Sequence, residues 1–197
     1  STTSGDYNVA VGSHAGRNVT TGNCNVMLGH NAGNYVTSGI NNIFLGPKAG
    51  CGNSGGMTGY NNIAMGVSSG ISLTSGGANI LLGVQAGNAV NQGSNNIMIG
   101  CEIGVTLTTG GENIFMGKRA AHCKQTGNYN IAFGSSALEG SSSASSNTGT
   151  RNVAIGRCAA YGVTSGSSNV FLGTYAGRDV TTGGMNIAIG KYAMHDG

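Results

Sequence analysis

The chain repeats itself about every 17 residues, and that period restricts its fold more than any other feature. With a glycine as position 0, units open at Gly5, Gly22, Gly39, Gly59, Gly76, Gly93, Gly110, Gly127, Gly149, Gly166 and Gly183. Eight of the ten steps are 17 residues; the step from Gly39 is 20 and the step from Gly127 is 22. Position 3 is Asn in all eleven units: Asn8, Asn25, Asn42, Asn62, Asn79, Asn96, Asn113, Asn130, Asn152, Asn169 and Asn186. Position 4 is always Val or Ile, position 6 is always a large apolar residue, and position 7 is always Gly. Position 10 is Ala in nine of the eleven.

A unit this short cannot be a helix-pair repeat, and no L-x-x-L-x-L frame of a leucine-rich repeat is present. Glycine makes up 38 of 197 residues, and each one inside a helix costs about 1 kcal/mol relative to alanine. Short Val/Ile runs bounded by Gly and Asn read as strands instead. Such a unit buries no face alone but does so when stacked on its neighbours. The expected fold is therefore all-β: a β-solenoid of eleven mostly 17-residue coils, in one domain spanning 1–197, each coil with about two short strands. At a strand spacing of ~4.8 Å the rod is about 53 Å long. Both longer units carry their extra residues after position 11, at Cys51–Met57 and Glu139–Asn147. These read as loops that bulge outward, where a solenoid tolerates insertion.

The columns have physical roles. Glycines at positions 0 and 7 are expected to supply positive-φ turns. The asparagines are expected to stack amide over amide as a ladder. Side chains alternate between faces of a strand. If positions 4 and 6 face inward, position 5 faces out, yet position 5 is apolar in every unit. It reads Ala10, Met27, Phe44, Ala64, Leu81, Met98, Phe115, Ala132, Ala154, Phe171 and Ala188. Such a stripe is read as an interface between chains, most simply around a threefold axis, which gives a parallel homotrimer. The alternative is a second interior face of a wide coil.

The stretches "NVAVG", "NIAMG", "NIAFG", "NVAIG" and "NIAIG" resemble the head repeats of trimeric autotransporter adhesins. They are still more similar to the G-x-x-N-[VI]-A-[IL]-G-x-x-A repeats of phage and virus tail fibres. The resemblance covers essentially the whole chain, although the unit here is longer than the adhesin head repeat. It implies a trimeric β-roll or solenoid outside the cell, on a virion or cell surface, serving attachment.

Other chemistry is weakly signalled. "GVSSG" at Gly66–Gly70 fits a nucleophile elbow, but it is the repeat with serine in place of alanine. "GCGNSG" at Gly50–Gly55 lies in an insertion with no helical pattern after it, so a dinucleotide site is not read from it. Asp179 and Asp196 share a column, but two carboxylates make a poor calcium site. No metal, cofactor or enzymatic activity is expected. The net charge of +3 is too small to point to nucleic acid, and no apolar run has the ~20 residues of a membrane span. The five cysteines are staggered among columns, so no intrachain disulfide is expected. Adjacent threonines such as Thr20 and Thr21 point to opposite sides, unlike an ice-binding ladder. Asn18-Val19-Thr20 is a glycosylation sequon.

The chain opens on "STTSG" and ends on "KYAMHDG" without the polar caps a solenoid needs. It is expected to be a segment of a longer fibre whose partner is itself. Two alternatives are a filament subunit that stacks end to end and a carbohydrate-binding adhesin module. In the last, both insertions and the turn residues Lys48, Lys118, Arg119, Arg157 and Lys191 would touch a cell-surface glycan or receptor.

Overall fold

The computed structural model describes residues 4–141 and 147–195. Each coil carries one three-residue strand. The strands are β1 (Val9–Val11), β2 (Val26–Leu28), β3 (Ile43–Leu45), β4 (Ile63–Met65), β5 (Ile80–Leu82), β6 (Ile97–Ile99), β7 (Ile114–Met116), β8 (Ile131–Phe133), β9 (Val153–Ile155), β10 (Val170–Leu172) and β11 (Ile187–Ile189). They form one parallel sheet in strict chain order. The register follows the repeat: Val9 pairs with Val26, Ala10 with Met27 and Val11 with Leu28. The molecule is a β-solenoid.

A second strand per coil does not form. Position 9 has positive φ in every coil, for example His14 at 58° and Lys48 at 59°, and so does position 2, for example Cys24 at 57°. A left-handed residue interrupts extended backbone, and outside glycine it costs about 1–2 kcal/mol. The conformation turns each N–H toward the preceding coil. The Asn31 amide donates to the Ser13 carbonyl (2.9 Å), and the Cys24 amide donates to the Asp6 carbonyl (3.0 Å). Each strained residue beyond the first coil thereby gains a bond between coils, worth about 1 kcal/mol.

The two glycine columns differ in their reason. At position 7 the glycines are left-handed as expected: Gly12 has φ 129°. At position 0 φ is not positive; the constraint is close approach. A Cβ on Gly39 would stand 2.7 Å from the Gly59 carbonyl oxygen of the next coil, which no relaxed contact allows.

The position-5 column is inside the molecule, which corrects the interface reading. Met27, Phe44, Ala64, Leu81, Met98, Phe115, Ala132, Ala154, Phe171 and Ala188 are at most 3% exposed within a single chain; Ala10, on the outermost coil, is exposed. A three-residue strand sends one side chain to one face and two to the other. The coil is too narrow to take two, so it closes around position 5 and leaves positions 4 and 6 outside. Neither expected arrangement of the strand is therefore found. Positions 10 and 14 complete the core, as with Ala86 and Val90 in the fifth coil. Met57 also lies in the core at 0% exposure, so it leaves the predicted loop and only 52–56 bulge outward.

The asparagine ladder forms. In its middle, Asn96 Oδ1 accepts from the Asn113 backbone N–H (3.2 Å) and side-chain Nδ2 (3.0 Å). Asn96 Nδ2 donates to Asn79 Oδ1 (3.0 Å) and to the Gly110 carbonyl (2.9 Å). Each interior amide thus fills its bonding capacity, and the rungs from Asn25 to Asn169 are fully buried. The end rungs Asn8 and Asn186 are half-buried and join the same ladder.

Candidate functional site

The repeat is least regular across coils 7 to 11, counted from Gly5, and chemically distinctive side chains gather there. Position 14 is Val or Leu in most coils: Val19, Val36, Leu73, Val90, Leu107, Val163, Val180. In coil 7 it is Lys124, with 0% exposure. Its stem runs along the rod. Cε lies 2.6 Å from where a Cβ on Gly127 would stand, and Nζ lies 3.1 Å from where one on Gly149 would stand. These glycines open coils 8 and 9, so the side chain spans the level of the longest coil.

Coil 8 holds its insertion with Asn147. That side chain donates to the Cys123 carbonyl (2.8 Å) and the Ser141 carbonyl (2.5 Å) and accepts from the Ser141 amide (3.1 Å). Asn147 and Glu139 are buried, so both ends of the predicted 139–147 loop belong to the wall of the coil. Residues 142–146 lie outside the described residues, as does Asp196. Lys124 fills volume near the insertion, but its amine finds no acceptor. Nζ is a buried side-chain atom without a hydrogen-bond partner among the described residues. Desolvation pushes its pKa down to about 8.

On coils 7 and 8, Arg119 Nη2 donates to Glu139 Oε1 at 2.6 Å, with the carboxylate 5% and the guanidinium 42% exposed. The hydrogen bond and charge of Glu139 raise the Arg119 pKa. His122 and Cys123 are neighbours, with 4.0 Å between Nδ1 and Sγ. Burial lowers the imidazole pKa and raises the thiol pKa. Both shifts favour the neutral pair, which is the reverse of what an activated thiolate requires.

Arg119, Glu139, Tyr161, Arg178 and Asp179 line a cleft of about 590 Å³ on the turn surface. A smaller hollow of about 220 Å³ adjoins it, lined by Cys158, Tyr161, Tyr175 and Arg178. Further along, Tyr175 and Tyr192 stack with ring centres 5.2 Å apart and planes 4° apart. The Arg157 and Arg178 guanidiniums lie 5.3 and 5.5 Å from the Tyr175 ring centre, a cation–π distance.

The other residues singled out in the sequence are spread along the rod. Ser68, the elbow serine, lies between Lys48 and Gln85 in the position-9 column. The adjacent Ser69 is buried and donates to the Leu81 carbonyl (2.7 Å). Asn18 is half-buried, with Nδ2 bonded to Asn34 Oδ1 (3.1 Å). All five cysteines are free. Lys48 stands far from the cleft in the sequence of coils, Arg119 lines it, and Lys118, Arg157 and Lys191 are exposed on neighbouring turns. No group of three or more His, Cys, Asp or Glu is placed to hold a metal ion among the described residues. No helix among them is long and apolar enough to cross a membrane. Sequence reading missed Lys124 and Tyr161, although a lysine in a Val/Leu column was a visible departure.

Compared with known proteins, the chain matches no family model, no curated protein and no solved structure.

Proposed function

We propose that this chain is shaft material of an attachment fibre outside the cell, on a virus particle or cell surface, built from parallel copies of itself, most simply three. The observation that carries the reading is the outward sheet face. Positions 4 and 6 of every strand present aliphatic or aromatic side chains to solvent: Val11 is 59% exposed, Phe133 52% and Ile155 42%. Strands of three residues, eleven deep, give an apolar face of about 10 Å by 50 Å. That matches or exceeds the few hundred Å² that soluble monomers usually leave open. Its constant register suits another copy carrying the same ladder. The repeat otherwise serves stiffness. Ten successive asparagine pairs and a continuous core make a rod whose coils support one another.

Sedimentation equilibrium tests this. The expected mass is three times the 19.5 kDa chain, with rods visible by electron microscopy. Replacing Ile80 and Ile97 together by Lys charges the face and leaves the core column untouched. The double variant is expected to run as a folded single chain with an unchanged circular dichroism spectrum. A wild-type monomer at every concentration would overturn the proposal.

A further inference from the structure

We propose that the turn surface of coils 7 to 10 is a binding site for a neutral oligosaccharide lying along the rod axis, with Tyr161 as its platform. The site is made of one chain's turn residues, so it stands whether or not copies associate through the strand face.

The first argument is the departure from the repeat. Positions 9 and 12 flank this turn. In coils 4 to 6 they read Ser68/Ile71, Gln85/Asn88 and Glu102/Val105. In coils 8 to 10 they read Ser136/Glu139, Cys158/Tyr161 and Tyr175/Arg178. Nothing in stacking requires the change, because the same backbone is built at every coil. Aromatic rings and charges appear together where Glu139, Gly140 and Ser141 of coil 8 wall the surface into a cleft.

The second argument is the chemistry of that cleft. Its 590 Å³ lies in the range that holds a small ligand. Its charges cancel in pairs: Arg119 with Glu139 at 2.6 Å, and Arg178 with Asp179 at 3.8 Å. A balanced lining does not select an anion or a cation. It offers donors beside acceptors, and vicinal hydroxyls match that, since each both donates and accepts. Glu139 supplies the strongest acceptor. Its side chain is 5% exposed, Oε1 takes Arg119, and nothing among the described residues hydrogen-bonds Oε2. Tyr161 is 38% exposed, and a tyrosine face packs against the C–H face of a pyranose while its hydroxyl reaches water or ligand.

The third argument is direction. The lining of the cleft steps through successive coils, from Arg119 in coil 7 through Glu139 in coil 8 and Tyr161 in coil 9 to Arg178 in coil 10, so the cleft runs along the stack, and the smaller hollow opens beside it on coils 9 and 10. Coils advance by ~4.8 Å, close to the length of one sugar in an extended polysaccharide. A chain lying along the rod therefore meets roughly one coil per sugar.

Calorimetric titration of the purified chain with maltohexaose, cellohexaose, mannohexaose and chitohexaose tests the site, with oligogalacturonate as the acidic contrast. At least one neutral hexamer is expected to bind saturably and more tightly than the acidic one. Tyr161→Ala and Arg178→Ala, both at solvent-facing side chains, are each expected to weaken it about tenfold or more while melting like the wild type. The proposal fails if no neutral hexamer binds at millimolar concentration or if oligogalacturonate binds tighter. It fails equally if both variants bind as well as the wild type.

Discussion

Coils 4 to 6 and coils 7 to 9 share a backbone and differ in how they satisfy buried polar groups. In coils 4 to 6 repetition does the work. Asn62, Asn79 and Asn96 each bond the next asparagine at distances of 2.9–3.0 Å. The cavity between coils is filled by Leu81, Met98, Leu73, Val90 and Leu107. In coils 7 to 9 the ladder continues, but the insertion removes a regular core filler from coil 8. Individual side chains replace it: Lys124 by its stem, Asn147 by three hydrogen bonds, and Leu138 by a left-handed core position at φ 51°. A repeat solves its polar accounting once and copies the answer; an irregularity must solve it again with particular residues. Here that second solution leaves the Lys124 amine without a partner among the described residues.

Four substitutions would break or sharpen the contrast. The largest effect belongs to the regular ladder. Asn96→Leu removes four side-chain hydrogen bonds, orphans the Asn113 amide and the Gly110 carbonyl, and leaves Asn113 Nδ2 with only its bond to the Gly127 carbonyl. At about 1–3 kcal/mol per buried orphan, a loss of about 4 kcal/mol or more is expected, read from the urea midpoint. A loss under about 1 kcal/mol would mean that the ladder is ornamental to stability.

The irregular coils carry the opposite sign. The folded-state pKa of Lys124 is about 8 against 10.5 unfolded, so the unfolded chain binds the extra proton. Wild-type stability is therefore lowest below pH 8 and rises as pH climbs from 8 to 10.5. Lys124→Met keeps most of the volume without the charge. It is expected to gain about 3 kcal/mol at pH 7, with the gain fading toward pH 10.5. Paired melting curves across pH check this; a pH-independent difference would sink it.

The smallest effects compare one backbone conformation in two surroundings. Ala78 and Leu138 are both left-handed, at φ 55° and 51°. Ala78 is exposed and Leu138 fully buried. Leu138→Gly is expected to cost about 2 kcal/mol, because lost core packing outweighs relieved strain. Ala78→Gly is expected to gain about 0.5 kcal/mol, the relief reduced by the greater freedom of glycine in the unfolded chain. Equal signs in chemical denaturation would show that packing does not decide between them.

The sequence by itself determined the number of coils, their parallel order, the register and the asparagine ladder. Each follows from residues recurring at one spacing, because stacked copies must align like with like. It also marked where the two insertions enter, since 17 residues fit one coil and the surplus has to leave it. It did not determine which way the strand faces. Positions 4, 5 and 6 are all apolar, as in Ile97-Met98-Ile99, so the binary pattern is unchanged when the strand is turned over. Only closure of the coil broke that symmetry: the interior has room for one strand side chain beside positions 10 and 14, so Met98 went in while Ile97 and Ile99 stayed partly exposed. The same closure drew Met57 and Asn147 out of their loops and placed the Lys124 amine beyond reach of water, since the space that each coil leaves is set by the coils packed against it.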